Sequence, residues 1–215
     1  MYRIIFFDLD GTLTDPGEGI TRCVQYALAS FGIDEPQSNL YPFIGPPLIE
    51  TFMERYDFPR PQAEQAVRKY RERYAPIGIF ENYVYEGIRP LLQELAAAGC
   101  CLCLATSKPE DFSRQILERY ELAPYFSYIV GSEMNEVRTH KDEVIEELLR
   151  QLQLPPEALR SVVMVGDRKY DILGARKFGL DSIGVGYGYA LPGELEEAGA
   201  TYLVPTVSDL RTLLL

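Results

Sequence analysis

Short β-rich apolar runs alternate with helix-period segments along this chain, and that alternation restricts the fold more than any other feature. The runs fall at residues 3–7, 101–105, 128–130, 162–165 and 182–185. Between them Ile88, Leu91, Leu92 and Leu95 precede Gly99, and Val144, Ile145, Leu148 and Leu149 precede Pro155-Pro156, each set at the spacing of one helix face. Strand–helix–strand order of this kind places successive strands parallel, with right-handed crossovers and helices on both faces. The expected fold is α/β, a three-layer αβα Rossmann-like core around a parallel sheet.

The rhythm breaks once. From residue 16 to residue 83 there is helical pattern and no good strand. The helical pieces, at 20–31, 48–56 and 62–74, are separated by Pro42, Gly45-Pro46-Pro47 and Pro59-Arg60-Pro61. The chain therefore divides into a discontinuous core, residues 1–15 and 84–215, and an inserted all-helical unit, residues 16–83. In open α/β sheets the ligand crevice lies beyond the carboxyl ends of the strands, so a unit inserted directly after the first strand is expected to serve as a lid.

Charge narrows the function classes. Lys and Arg number 21 against 32 Asp and Glu, a formal net charge of −11 that repels polyanions and excludes nucleic-acid polymers as partners. A small anion can still be held where cations converge or where a divalent metal reverses the local sign. The longest near-apolar stretch, residues 96–105, is too short to span a bilayer. The amino-terminal apolar run is broken by Asp8 and Asp10, which no signal-peptide core would carry. A cytoplasmic protein with reduced thiols is expected. Cys100, Cys101 and Cys103 are too close in sequence to form a disulfide framework with Cys23. The C-x-x-C of Cys100 and Cys103 lies in a strand pattern, not at a helix start.

The chemistry concentrates where apolar strands end. The first runs Phe6-Phe7-Asp8-Leu9-Asp10-Gly11-Thr12, two carboxylates separated by one residue at the exit of a buried strand. Like charges held this close require either a bound cation or one proton shared between them. A second apolar strand ends Gly166-Asp167, with Asp171 four residues on. Oxygen ligands from Asp8, Asp167 and a backbone carbonyl would suit magnesium. His140 is the single histidine and is read as structural or exposed, which leaves zinc chemistry without ligands. Thr106-Ser107-Lys108 ends a third strand ahead of Pro109; its hydroxyls and amides suit a phosphate oxygen, and equally suit a helix N-cap.

In this order the residues resemble the haloacid dehalogenase superfamily, specifically its phosphatase branch with a helical cap, the phosphoglycolate-phosphatase-like and 5'-nucleotidase-like group. The family's first motif, D-x-D-G-T-[LV]-x-D, matches Asp8-Leu9-Asp10-Gly11-Thr12-Leu13-Thr14-Asp15. Its hydroxyl, lysine and acidic motifs match Thr106, Lys141 and Gly166-Asp167 through Asp171. Lys141 is followed by Asp142 where many relatives carry proline, and Lys108 is the candidate replacement should Lys141 be a surface residue.

The resemblance implies a magnesium-dependent phosphatase acting on a small phosphate monoester, phosphoglycolate or a nucleoside monophosphate. Asp8 would be the nucleophile, forming an aspartyl-phosphate, and Asp10 the acid/base; Thr106 and Lys141 would take charge from the phosphoryl oxygens. Mg2+ would be held by Asp8, the Asp10 carbonyl and Asp167, with Asp171 behind or through water. Gly11, Thr12, Ser107 and Lys108 would line the substrate, with Gly45 and Arg22 contributed by the cap together with Tyr26, Arg55 and Tyr56. A monomer or weak homodimer is expected, with no membrane partner. Two alternatives stay open: a phosphomutase that transfers the phosphoryl group to a sugar, and a non-enzymatic phospho-receiver. The Gly184–Tyr189 run fails G-x-G-x-x-G at Tyr189 and is read as a flexible loop beside the site. Gly174–Gly179 lacks the Walker lysine and is read as a helix end capped at Gly179.

Overall fold

The computed structural model describes residues 2–135 and 137–215, which form two compact units, Met1–Asp15 with Val84–Leu215 and Pro16–Tyr83. In the first, strands β1 (Ile4–Phe7), β4 (Cys101–Pro109), β5 (Phe126–Ser132), β6 (Val162–Gly166), β7 (Asp181–Val185) and β8 (Tyr202–Val204) form one sheet in the order β5-β4-β1-β6-β7-β8. Every pairing is parallel. Two-residue strands β2 (Thr14–Asp15) and β3 (Tyr83–Val84) mark where the chain leaves this unit and returns. Helices α4 (Ile88–Ala97), α5 (Glu110–Arg119), α6 (Lys141–Leu152), α7 (Lys169–Lys177), α8 (Glu194–Ala198) and α9 (Val207–Leu214) flank the sheet.

The central strands read as continuous apolar runs because both of their faces are covered. Phe6 is level with Cys103 on one side and Met164 on the other, and this row packs against Val144, Ile145 and Leu148 of α6 and Ala175 of α7. The alternate rows, Ile5 with Leu102 and Val163 and Phe7 with Leu104 and Val165, point to the opposite face and are fully buried. Burying one such side chain contributes about 1.5–3 kcal/mol, enough that a charge placed within these rows would not be tolerated.

Topology locates the crevice. From β1 the chain builds outward through β4 and β5, then crosses back to build β6, β7 and β8 on the other side. The order therefore reverses at β1, and the crevice opens outside the carboxyl ends of β1, β4 and β6.

The second unit contains α1 (Gly17–Ala29), α2 (Leu48–Tyr56) and α3 (Arg60–Tyr74). Helix α2 stops at Asp57 in the left-handed conformation (φ 53°), and Pro59 and Pro61 then open α3, where a missing amide costs no hydrogen bond. Its core joins Val24 and Leu28 of α1 to Ala66 and Val67 of α3, with an aromatic cluster in which Phe43 and Phe52 lie 4.8 Å apart and Phe31 and Phe58 5.1 Å. Among the described residues no helix is long and apolar enough to cross a membrane.

Candidate active site

Asp8 follows β1 directly and Asp167 follows the neighbouring β6. The Asp8 amide continues the ladder by donating to the Val165 carbonyl at 2.9 Å, so the two carboxylates leave adjacent strands at one level. After Asp8 the chain folds into a tight turn around the Leu9 carbonyl, which accepts from the amides of Leu13 at 2.9 Å and Thr14 at 3.0 Å. Gly11 is required there twice over. Its φ of +80° is disfavoured for L side chains, and a Cβ would stand 2.1 Å from Asp167 Oδ2.

Lys141, the first residue of α6, reaches in beneath this turn. Its Nζ donates to the Ala105 carbonyl at 2.8 Å and lies 2.8 Å from both Asp8 Oδ1 and Asp171 Oδ1. The lysine predicted as the family's third motif is thus buried among the acids. Lys108 is not its substitute but a second buried cation, paired through Nζ with Asp10 Oδ2. Thr106 is buried at the end of β4, its Oγ1 accepting from the Lys108 amide at 3.2 Å. The N-cap reading of Thr106 is corrected: Pro109 occupies that place at the start of α5. Thr12 is buried with its hydroxyl oxygen unpartnered, and Ser107 is half-buried.

Electrostatics follow from this burial. Asp8, Asp10, Asp167 and Asp171 are all buried, and among the described residues Lys108 and Lys141 are the cations whose ammonium groups pair with them, so four carboxylates face two ammonium groups. Burial raises the Asp10 carboxyl above its ordinary value, and Lys108 offsets part of the rise. Asp167 is driven well above the carboxylate range by burial and by the charges of Asp171 and Asp8. Asp171 is pushed up to about 6 by burial, with Lys141 holding it down and Asp8 pushing it up. Burial pulls the Lys141 ammonium down, yet Asp171 and Asp8 outweigh it and leave the value raised. A site in which Asp10, Asp167 and Asp171 all resist ionisation is short of positive charge.

A divalent cation fits that shortage. One carboxylate oxygen from each of Asp8, Asp167 and Asp171 lies within 4.8 Å of the others, and Asp167 Oδ1 is buried with no hydrogen-bond donor. An all-oxygen donor set selects a hard ion such as magnesium.

Arg22, Tyr26, Gly45, Arg55 and Tyr56, the residues expected of the cap, all belong to the helical unit. There Arg22 lies 2.7 Å from Glu18 and 3.0 Å from Glu81, while Tyr26 donates to Glu72 at 3.4 Å and Tyr56 to Glu35 at 3.3 Å. His140 precedes α6, and its amide donates to Glu143 Oε2 at 3.0 Å, a helix-start role. Sequence reasoning missed Tyr187 and Tyr189. The loop expected to be flexible is pinned to the site: Tyr187 Oη donates to the Thr12 carbonyl at 3.0 Å, and the Tyr189 amide donates to Asp167 Oδ2 at 2.7 Å. The one available signal was two tyrosines among glycines just after a strand.

A parallel sheet with a turn bearing two buried carboxylates at its switch point, two buried lysines and a three-acid cluster is the setting of a class of hydrolase. The model of the haloacid dehalogenase-like hydrolases matches residues 5–185, and the chain belongs to that family. Within it the chain is an enzyme of the phosphatase kind, a hydrolase acting on phosphoric monoesters. It is 47% identical to a 5'-nucleotidase of Pseudomonas aeruginosa over 99% of this chain and 96% of that protein. It is 37% identical to a protein of Mycobacterium tuberculosis named tyrosine-protein kinase PtkA, over 99% of this chain and 72% of that one. Among solved structures, a predicted phosphatase from Clostridium acetobutylicum superposes with a TM-score of 0.95 at 45% identity, covering 100% of this chain and 98% of that one.

Proposed function

We propose that this protein is a cytoplasmic, magnesium-dependent phosphatase that hydrolyses a nucleoside monophosphate through an aspartyl-phosphate on Asp8. The observation that carries the mechanism is the placement of Asp8: its Oδ1 lies 2.8 Å from Lys141 Nζ, one turn of chain from a second carboxyl held by its own lysine. Lys141 directs its ammonium at Ala105, Asp8 and Asp171, so its work is to hold the nucleophile aimed. A free Asp8 oxygen attacks phosphorus, and the bond to the ester oxygen breaks. Asp10, whose carboxyl burial raises above its ordinary value, protonates the departing alkoxide. It then takes a proton from the water that cleaves the phosphoryl–Asp8 bond, which restores both carboxyls and releases phosphate. Lys108 holds Asp10 in reach for both transfers, and the Thr106 hydroxyl donates to a phosphoryl oxygen. Mg2+ would be held by Asp8, Asp167 and Asp171, and when bound would supply the positive charge that lets a carboxylate approach a phosphate. The helical unit, inserted immediately after the nucleophile's turn, selects the leaving group through Arg22, Gly45 and their neighbours and gates water.

The nucleotide is preferred over phosphoglycolate because the relative at 47% identity is named a 5'-nucleotidase. Four free cysteines agree with a reducing compartment. The test is phosphate release with Mg2+ from a panel of nucleoside monophosphates, phosphoglycolate and sugar phosphates. Nucleoside monophosphates should turn over fastest, and Asp8→Asn should lower kcat by about 10^4 or more. Full activity in Asp8→Asn removes the mechanism, and a preference for phosphoglycolate removes the substrate. Isomerisation of a sugar phosphate without net phosphate release identifies a mutase instead.

A further inference from the structure

The loop that leaves β7 is anchored at more points than a connection of its length needs. Its first residue, Gly186, donates to the Val204 carbonyl at 2.8 Å. Tyr187 Oη donates to the Thr12 carbonyl at 3.0 Å, and its ring meets the Tyr85 ring edge-on with centroids 5.0 Å apart. A Cβ on Gly188 would fall 2.3 Å from Asp167 Cβ and 2.4 Å from the Gly11 carbonyl, so backbone here approaches as closely as only glycine allows. The Tyr189 amide holds Asp167 Oδ2 at 2.7 Å, and Tyr189 Oη donates to Asp15.

Two consequences follow. First, Asp167 has its oxygens divided. Oδ2 is taken by the Tyr189 amide and wedged between Gly11 and Gly188, while Oδ1 is left buried without a donor. A single hydrogen bond thus fixes which oxygen is offered to a cation and in which direction. Second, the loop touches the core at both places where the chain crosses to the helical unit, at Asp15 on departure and at Tyr85 just after the return.

We propose that residues 186–189 are a positioning clasp: Tyr187 and Tyr189, locked to the two crossing segments, hold Asp167 in its cation-binding orientation and thereby set the affinity of the site for the divalent ion. Both are positioning residues and neither touches substrate. The inference rests on the reading of Asp167 as a cation ligand.

The experiment is direct binding of Mn2+, followed by titration calorimetry or electron paramagnetic resonance, to wild-type protein, Tyr187→Phe and Tyr189→Phe, with thermal unfolding of each measured free of metal. Each variant keeps its ring and backbone amide and loses one hydroxyl bond. The Mn2+ Kd should rise about tenfold in each, the range over which groups that orient metal ligands act. Asp15→Asn, which keeps an acceptor for Tyr189, should raise it less than Tyr189→Phe. If both Tyr→Phe variants bind Mn2+ as tightly as wild type, the clasp is disproved, whether or not they melt earlier. If the wild-type protein binds no Mn2+, the cation site itself falls, and the clasp falls with it.

Discussion

The two units treat charge in opposite ways. At the carboxyl end of the sheet, Asp8, Asp10, Asp167 and Asp171 are sealed with Lys108 and Lys141, and every one of these side chains is nearly inaccessible. In the helical unit, ion pairs such as Arg60–Glu64 and Lys69–Glu72 stand in solvent, at 65% and 42% and at 36% and 50% side-chain exposure. Water screens the second kind to near irrelevance. The first kind carries a desolvation cost that only other charges, or a metal, offset. Where a protein keeps such a costly cluster, the cluster has work to do.

The contrast can be tested along a descending scale. Lys141→Met should be the most damaging change to the fold, since it leaves Asp8 and Asp171 buried without their cation. A loss of about 3–5 kcal/mol, read from the urea midpoint of metal-free protein, is expected, with partial recovery on adding Mg2+. A loss below about 1 kcal/mol would mean the cluster is wetter than its burial suggests.

Next comes pH. Asp171 is raised from 3.8 to about 6, so between those values the folded protein binds more protons than the unfolded chain, and metal-free stability must fall as pH climbs through that window. The effect is on the order of 3 kcal/mol, and Asp10 and Asp167, both raised, act in the same direction. Bound Mg2+ should abolish the decline, so the rise in Tm on adding Mg2+ should be larger at pH 7 than at pH 5. Thermal scans giving equal increments at both would contradict it.

Arg73 sits between the extremes. It grips Glu81 through two bonds of 2.7 and 2.9 Å at about one-fifth side-chain exposure, and holds the Glu81 carboxyl below its usual range. Arg73→Ala should cost about 1–2 kcal/mol in denaturant unfolding. Arg60→Ala, at the solvent end of the scale, should shift the same measurement by no more than about 0.5 kcal/mol. If the two alanine variants behaved alike, exposure would not be what sets the worth of an ion pair in this protein.

How much of this was readable beforehand depends on what each residue packs against. The central strands announced themselves because two buried faces leave no polar position, as in 162–165. By contrast β8 escaped, being an edge strand of three residues with Tyr202 and Leu203 exposed. Strand β4 ran on past residue 105 to Pro109, because pairing with β5 resumes at Pro109–Ser132 after an irregularity that leaves 106–108, the stretch that looks like a loop, out of register. The acids were legible from their position after apolar strands. That Lys108 and Lys141 belong with them was legible only through the family resemblance, because a lysine at a helix start or strand end has the same local pattern whether it faces water or carboxylates. The tyrosine loop was hardest: its contacts run through backbone atoms and two hydroxyls, which leave no periodicity to read.

The discontinuous core also dictates an order of assembly. Strand β1 is made long before its partners, which begin at Cys101 and Val162, so it waits unpaired while the whole helical unit is synthesised. The acidic cluster can close only when β6 delivers Asp167 beside Asp8, and the loop whose amide holds Asp167 arrives later still.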